Sequence, residues 1–176
     1  MNKFTKSFGA FVFFISFLAM GNLQAQTTME EFATKWNHGK QFTIDVLNAM
    51  PDSGMDYKTD PEAMSFKEQI HHIGSAIVGI SQGLLKGGEA SAPQIDVATA
   101  SKEELAAFLE EAYEYGKSAI VGLSEADRAE VINAFGNELT RRQVIAMLDD
   151  HCTHHRGAAI AYLRANGVTP PAFVGF

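Results

Sequence analysis

The stretch DDHCTHHRGAAIAYLRANG, Asp149 to Gly167, decides the reading of this chain. It sets His151 and His155 four residues apart in a segment whose other cues are helical. Residues at that spacing share one helix face about a turn apart, so two imidazoles can reach one ion. At 3.6 residues per turn Val144, Leu148, His151, His155 and Tyr162 fall within roughly 30° of one line, which puts the pair on the expected apolar stripe. An unpartnered polar ring is costly there, so the pair needs either a hydroxyl or carbonyl for each ring or a shared metal. His154 points off the stripe. Cys152 projects about 100° from its neighbour His151, outside the same ligand shell. As the chain's single cysteine it can form no intramolecular disulfide, and burial is its expected fate.

Working outward, the segment belongs to a helix expected from Thr140 to Ala165. Thr140 and Gln143 have capping-box spacing, and Asn166-Gly167 followed by Pro170-Pro171 stops the helix. Ser65 with Glu68 and Ser101 with Glu104 repeat the device. They open a second helix with the apolar face Phe66, Ile70, Ile73, Ile77, Ile80 and Leu84, and a third that buries Leu105, Leu109, Ala112, Ala119 and Leu123. The first helix spans Met29 to Ala49, aligns Phe32, Trp36, Thr43, Val46 and Met50, and stops at Pro51. Pro51 to Met64 is a polar link, and Gly87 to Ala100 is a long loop that must cross the molecule. Ser124 to Phe135 holds room for a short extra helix, and no segment alternates like a strand. The fold expected is all-α: a four-helix bundle with long crossover connections, in one domain over residues 26–176.

Residues 1–25 read as a secretory signal peptide. MNKFTKS carries two lysines and no acid, GAFVFFISFLAMG is apolar, and NLQA ends at Ala25. The apolar run is too short for a comfortable span, and no later segment approaches one, so the mature protein is expected to be exported, periplasmic or secreted. About 150 residues then remain, enough for one domain with its own core. The chain has 14 basic against 21 acidic residues, a net charge of −7, and loses Lys3 and Lys6 on cleavage. That balance excludes a nucleic-acid binder, which needs a basic surface. The acids are scattered and read as solvated surface. A small-molecule substrate and a homodimer both stay open.

The chain resembles the DinB/YfiT-like superfamily of metal-binding four-helix bundles. The resemblance runs from Thr27 to Phe176 and is strongest in HHRG…YLRANGVTPPAF from His154 onward, preceded by His151. A second part, MPDSGMDYKTDPEAMSFKEQIHHIG, is similar to that family's link into helix two. The resemblance implies a metal-binding histidine seven residues after the helix-two cap and followed by an aliphatic residue. Counted from Ser65 this is His72, before Ile73. It implies the other two ligands as the pair His151 and His155. Periodicity alone sets both His71 and His72 off the centre of the apolar face. His72 shares a stripe with Ala76, Gly79 and Gly83, small residues that would let another helix approach closely.

Three neutral imidazoles with open positions suit a divalent transition metal such as zinc, nickel or iron. The resemblance implies activation of water or a thiol, since some relatives are thiol S-transferases and others resemble hydrolases. The expected function is a metal-dependent hydrolase or transferase in stress or detoxification, with its catalytic residues unknown. A non-catalytic metal-binding module is the alternative. The site's opening is expected between helices one, two and four, with Trp36 and Phe42 as either pocket wall or core. Relatives often read HHRGQ, whereas Ala158 follows Gly157 here, which leaves a supporting amide missing. Asp149 and Asp150 are expected mostly to face water, Arg156 to pair with a carboxylate at a helix crossing, and Tyr162 to pack in the core.

Overall fold

The computed structural model describes residues 28–86 and 92–174; the expected signal segment and part of the second connection lie outside them. Four long helices make the bundle: α1 Met29–Ala49, α2 Phe66–Leu84, α3 Lys102–Val121 and, after the short α4 Glu125–Ala129, α5 Arg141–Ala165. Each opens on a capping box, in which a Ser or Thr oxygen accepts from the N3 amide while the N3 side chain accepts from the cap amide. The boxes at Ser65, Ser101 and Thr140 fall at the expected residues, and Ser124 with Asp127 opens α4 in the segment where a short helix was expected. Thr28 with Glu31 adds one for α1.

The helices do not run simply up and down. Trp36 donates its indole N–H to the Tyr113 carbonyl at 2.9 Å, and Lys102 Nζ caps the Met50 carbonyl at 2.7 Å, so α1 and α3 are antiparallel. Gly74 abuts Phe108 and Gly116 abuts Ile77, which makes α2 and α3 parallel neighbours. The end of α2 and the start of α3 therefore lie at opposite ends of the bundle, as the long-loop expectation required. α5 packs antiparallel to α2 and parallel to α1. The core between them includes Phe66, Ile70, Ile73, Ile77, Leu105, Leu109, Ile120, Val144 and Leu148.

Three expectations need correction. The chain does contain strands: Val131–Ala134 and Asn137–Thr140 pair antiparallel, Val131 opposite Thr140 and Ala134 opposite Asn137. The two turn residues, Phe135 at φ 54° and Gly136 at φ 79°, are both left-handed, the type I′ geometry that matches strand twist. On α3, Phe108, Tyr113, Gly116 and Ile120 are buried where Ala119 was expected. On α5 the buried face is Arg141, Val144, Ile145, Leu148, Cys152, Arg156, Ala159, Tyr162 and Leu163. His151 and His155 lie on its flank, half-buried, rather than at its centre. Polar Arg141 and Arg156 and the lone Cys152 fill much of the buried line, so a count of apolar residues misplaces it.

Candidate metal centre

Two contacts fix the register of α5 against α2. At one end Arg141 Nε donates to the Leu84 carbonyl at 2.9 Å, placing a cation at the C-terminal end of α2. At the other, the buried Tyr162 hydroxyl donates to the Met64 carbonyl at 3.1 Å, just before the α2 cap. Between these ties the antiparallel pair brings His72 opposite His151 and His155. The sites of their ligating nitrogens all lie within 4.8 Å of one another. His72 Nε2 and His151 Nε2 are 3.1 Å apart. Two neighbouring nitrogens bound at about 2.0–2.1 Å to one ion stand about 2.8–3.0 Å apart in octahedral and about 3.3–3.4 Å in tetrahedral geometry, so this pair is already spaced for an ion. The ring centroids form a triangle of 5.1, 4.4 and 4.5 Å, with interplanar angles of 65°, 70° and 69°.

Burial is the largest influence on all three rings, and the neighbouring histidines add to it. Both disfavour the imidazolium: His72 and His151 lie below the ordinary value, and His155 is lowered to about 4. The donor set is therefore neutral at neutral pH, the form that binds metal. His155 Nδ1 stands 2.6 Å from the Gln69 amide oxygen. An oxygen there accepts only, so Nδ1 carries the proton and Nε2 keeps its lone pair for the cluster. Gln69, buried on α2 one turn before His72, was not singled out in the sequence. Its signal was a polar residue on the apolar flank of α2, three positions before a candidate ligand. It supplies an amide to the site from α2, where Ala158 leaves the HHRGQ position on α5 without one.

His71 takes no part. It stacks on Phe108 at 5.5 Å and meets Ser75 Oγ at 3.1 Å, facing α3. His154 is exposed, with its ring edge-on to His155 at 4.9 Å. Asp149 pairs with Lys35 and Asp150 is exposed. Among the described residues the cluster contains no cysteine or carboxylate. The Cys152 thiol is buried and burial pushes it up to about 12, so it is an inert core group. Arg156 is structural, but not through a carboxylate. Its guanidinium donates to the Gly39 carbonyl and Thr43 Oγ1 and lies over the Phe42 ring at 5.3 Å. Trp36 and Phe42 are core, not pocket wall.

Beside the triad is a cavity of about 600 Å³ whose wall includes His72 and His151. It is bounded by α2, α5 and Phe135 at the hairpin turn, with no contribution from α1, contrary to the expected opening. Gly79 and Gly83 of the small-residue stripe on α2 do not receive a helix either. A Cβ on Gly79 or Gly83 would meet nothing within 4 Å, and Gly79 opens into this cavity.

The DinB family model matches residues 21–175. The chain belongs to the DinB family. It is similar to the uncharacterized protein YrdA of Bacillus subtilis, 23% identical over 153 residues that make up 84% of this chain and 89% of that one. Two crystal structures share the fold. A DinB-like protein from Bacillus cereus superposes with a TM-score of 0.66 at 19% identity, covering 84% of this chain and 99% of its own. The DinB-like protein YjoA from Bacillus subtilis gives 0.64 at 20%, covering 80% and 94%.

Proposed function

We propose that this DinB protein binds a divalent transition metal (zinc, nickel or iron) through His72, His151 and His155 and uses it as a metal-dependent enzyme. The single observation that carries the reading is three neutral imidazoles converging from two helices beside an open cavity, with no fourth protein ligand in the described cluster. When bound, such an ion supplies Lewis acidity that lowers the pKa of a coordinated water or thiol. Gln69 orients His155, the low-pKa rings hold the site unprotonated, and the cavity admits the reacting partner. This supports hydrolysis or thiol transfer on a small electrophile, in stress defence or detoxification. The layout of residues 1–25 supports export as the setting.

One observation favours a second reading, a non-catalytic metal-binding module: neither Asp149 nor Asp150 is in the cluster, so no carboxylate stands ready as a proton acceptor. Elemental analysis of the purified full chain tests the site. We expect about one transition-metal equivalent, lost in His151→Ala. Reaction of a thiol with an electrophilic probe then separates the readings. Native protein accelerating it over His155→Ala supports the enzyme; equal rates on a metal-loaded protein leave the module.

A further inference from the structure

The cavity beside the triad has features that the metal reading does not require. Among the described residues no Asp, Glu, Lys or Arg lines it. Its walls away from the histidines are Leu84, Gly79 and their neighbours on α2 and Met147 on α5. It extends along α2 from His72 to Leu84, about 18 Å at 1.5 Å per residue. The third boundary, Phe135, is 64% exposed and has φ 54°, a conformation that a bulky non-glycine residue adopts only at a cost. Asn or Gly would form the same turn without strain. The hairpin instead places a phenyl ring in the lining of the cavity, which Gly79 also lines.

We propose that this cavity holds the apolar body of a neutral small ligand whose head reaches the three imidazoles, and that Phe135 determines its specificity by covering that body. The role of the head rests on the metal reading above; the apolar channel does not. Size and composition argue for a small molecule. A volume of about 600 Å³ lies within the range of small-ligand sites, and the eight described lining residues fall well short of the 20–30 a side of a stable protein interface. The absence of charge among the described lining residues argues against an anionic or zwitterionic ligand, which would lose its hydration with nothing to replace it.

The test uses the full chain loaded with cobalt(II) and titrated with ethanethiol, butanethiol, hexanethiol and the anionic 2-mercaptoethanesulfonate, followed by visible absorption of the metal. We expect affinity to rise about fourfold for each added methylene, in line with transfer of a buried CH₂ out of water. The sulfonate should bind more weakly than butanethiol. Gly79→Leu, at a position where a Cβ meets nothing within 4 Å, should narrow the channel and flatten the series onto the ethanethiol value. Phe135→Asn should leave the fold at least as stable while lowering hexanethiol affinity by about fivefold or more. A flat series in the native protein, or equal binding of the sulfonate, overturns the channel while leaving the metal site standing. If cobalt does not bind, the metal reading fails by itself. The channel is then read in metal-free protein, where 1-hexanol should shift the amide signals of Gly79, Phe135 and Gly136; no shift there overturns it. Concentration-dependent dimerisation that buries those same amides would make a second copy the occupant and also overturn it.

Discussion

Gln69 shows how much one polar side chain contributes to a three-histidine cluster. Its amide oxygen fixes the tautomer of His155, and without it the ring can present a protonated nitrogen to the other two. Groups in this position typically account for 10–100-fold in metal affinity. Gln69→Leu should therefore weaken zinc binding by about that factor, measured by competition with a chromophoric chelator, with the helical circular dichroism unchanged. An unchanged affinity would show that His155 is oriented by packing alone. Acidity acts on the same rings. The unfolded chain protonates His155 as pH falls through about its ordinary 6.5, whereas the folded chain resists until about 4. Between those values the unfolded state binds more protons, so metal-free stability is unaffected by this ring above pH 6.5 and falls as pH drops towards 4. His72 and His151 shift in the same direction. The urea midpoint of the metal-free protein should decline over that window, and less steeply in His155→Gln. Equal slopes would refute the burial of these rings.

At the scale of the elements, what was legible was local. The capping boxes require only two residues three apart, so helix starts at Ser65, Ser101 and Thr140 could be read directly from the chain. The hairpin could not. VINA and NELT are four residues each and lack alternation, and Phe135-Gly136 is not among the usual turn pairs. The site was legible in part. His151 and His155 declare themselves by spacing, whereas His72 is one of two adjacent histidines, and only the rotation of α2 against α3 and α5 separates them. That rotation depends on which small residues are filled. Gly116 is a close approach: a Cβ there would stand 2.5 Å from Ile77 Cγ2 and 3.2 Å from Trp36 Cζ2. Gly79 faces open space. Gly116→Ala should destabilise the chain by about 1–3 kcal/mol through overpacking. Gly79→Ala should stabilise it by about 0.5–1 kcal/mol through helix propensity. Thermal melts of the two variants check the opposite signs, and a shift of the same sign in both would contradict this packing.

For the whole molecule, a metal held only by the folded chain adds stability set by its concentration and affinity. The helices already bury a continuous core, so chelation should lower the Tm without unfolding the protein at room temperature. Calorimetry on a zinc-loaded sample before and after chelation checks this, and an unmoved Tm would exclude binding linked to folding. The arrangement of the helices has a kinetic consequence as well. Of the neighbouring long-helix pairs only α2 and α3 are consecutive in the chain. Trp36 meets Tyr113 across 77 residues, His72 meets His151 across 79, and Lys35 meets Asp149 across 114. Contacts so distant in sequence raise the contact order well above that of a simple up-and-down bundle, and folding should be slow for an all-helical chain. Early structure should then favour α2 with α3, while the α2–α5 seam closes after the rate-limiting step. Bound zinc should accordingly slow unfolding and leave the folding limb of the chevron unchanged, so the ion would act as a brake on leaving the native state rather than as a guide towards it.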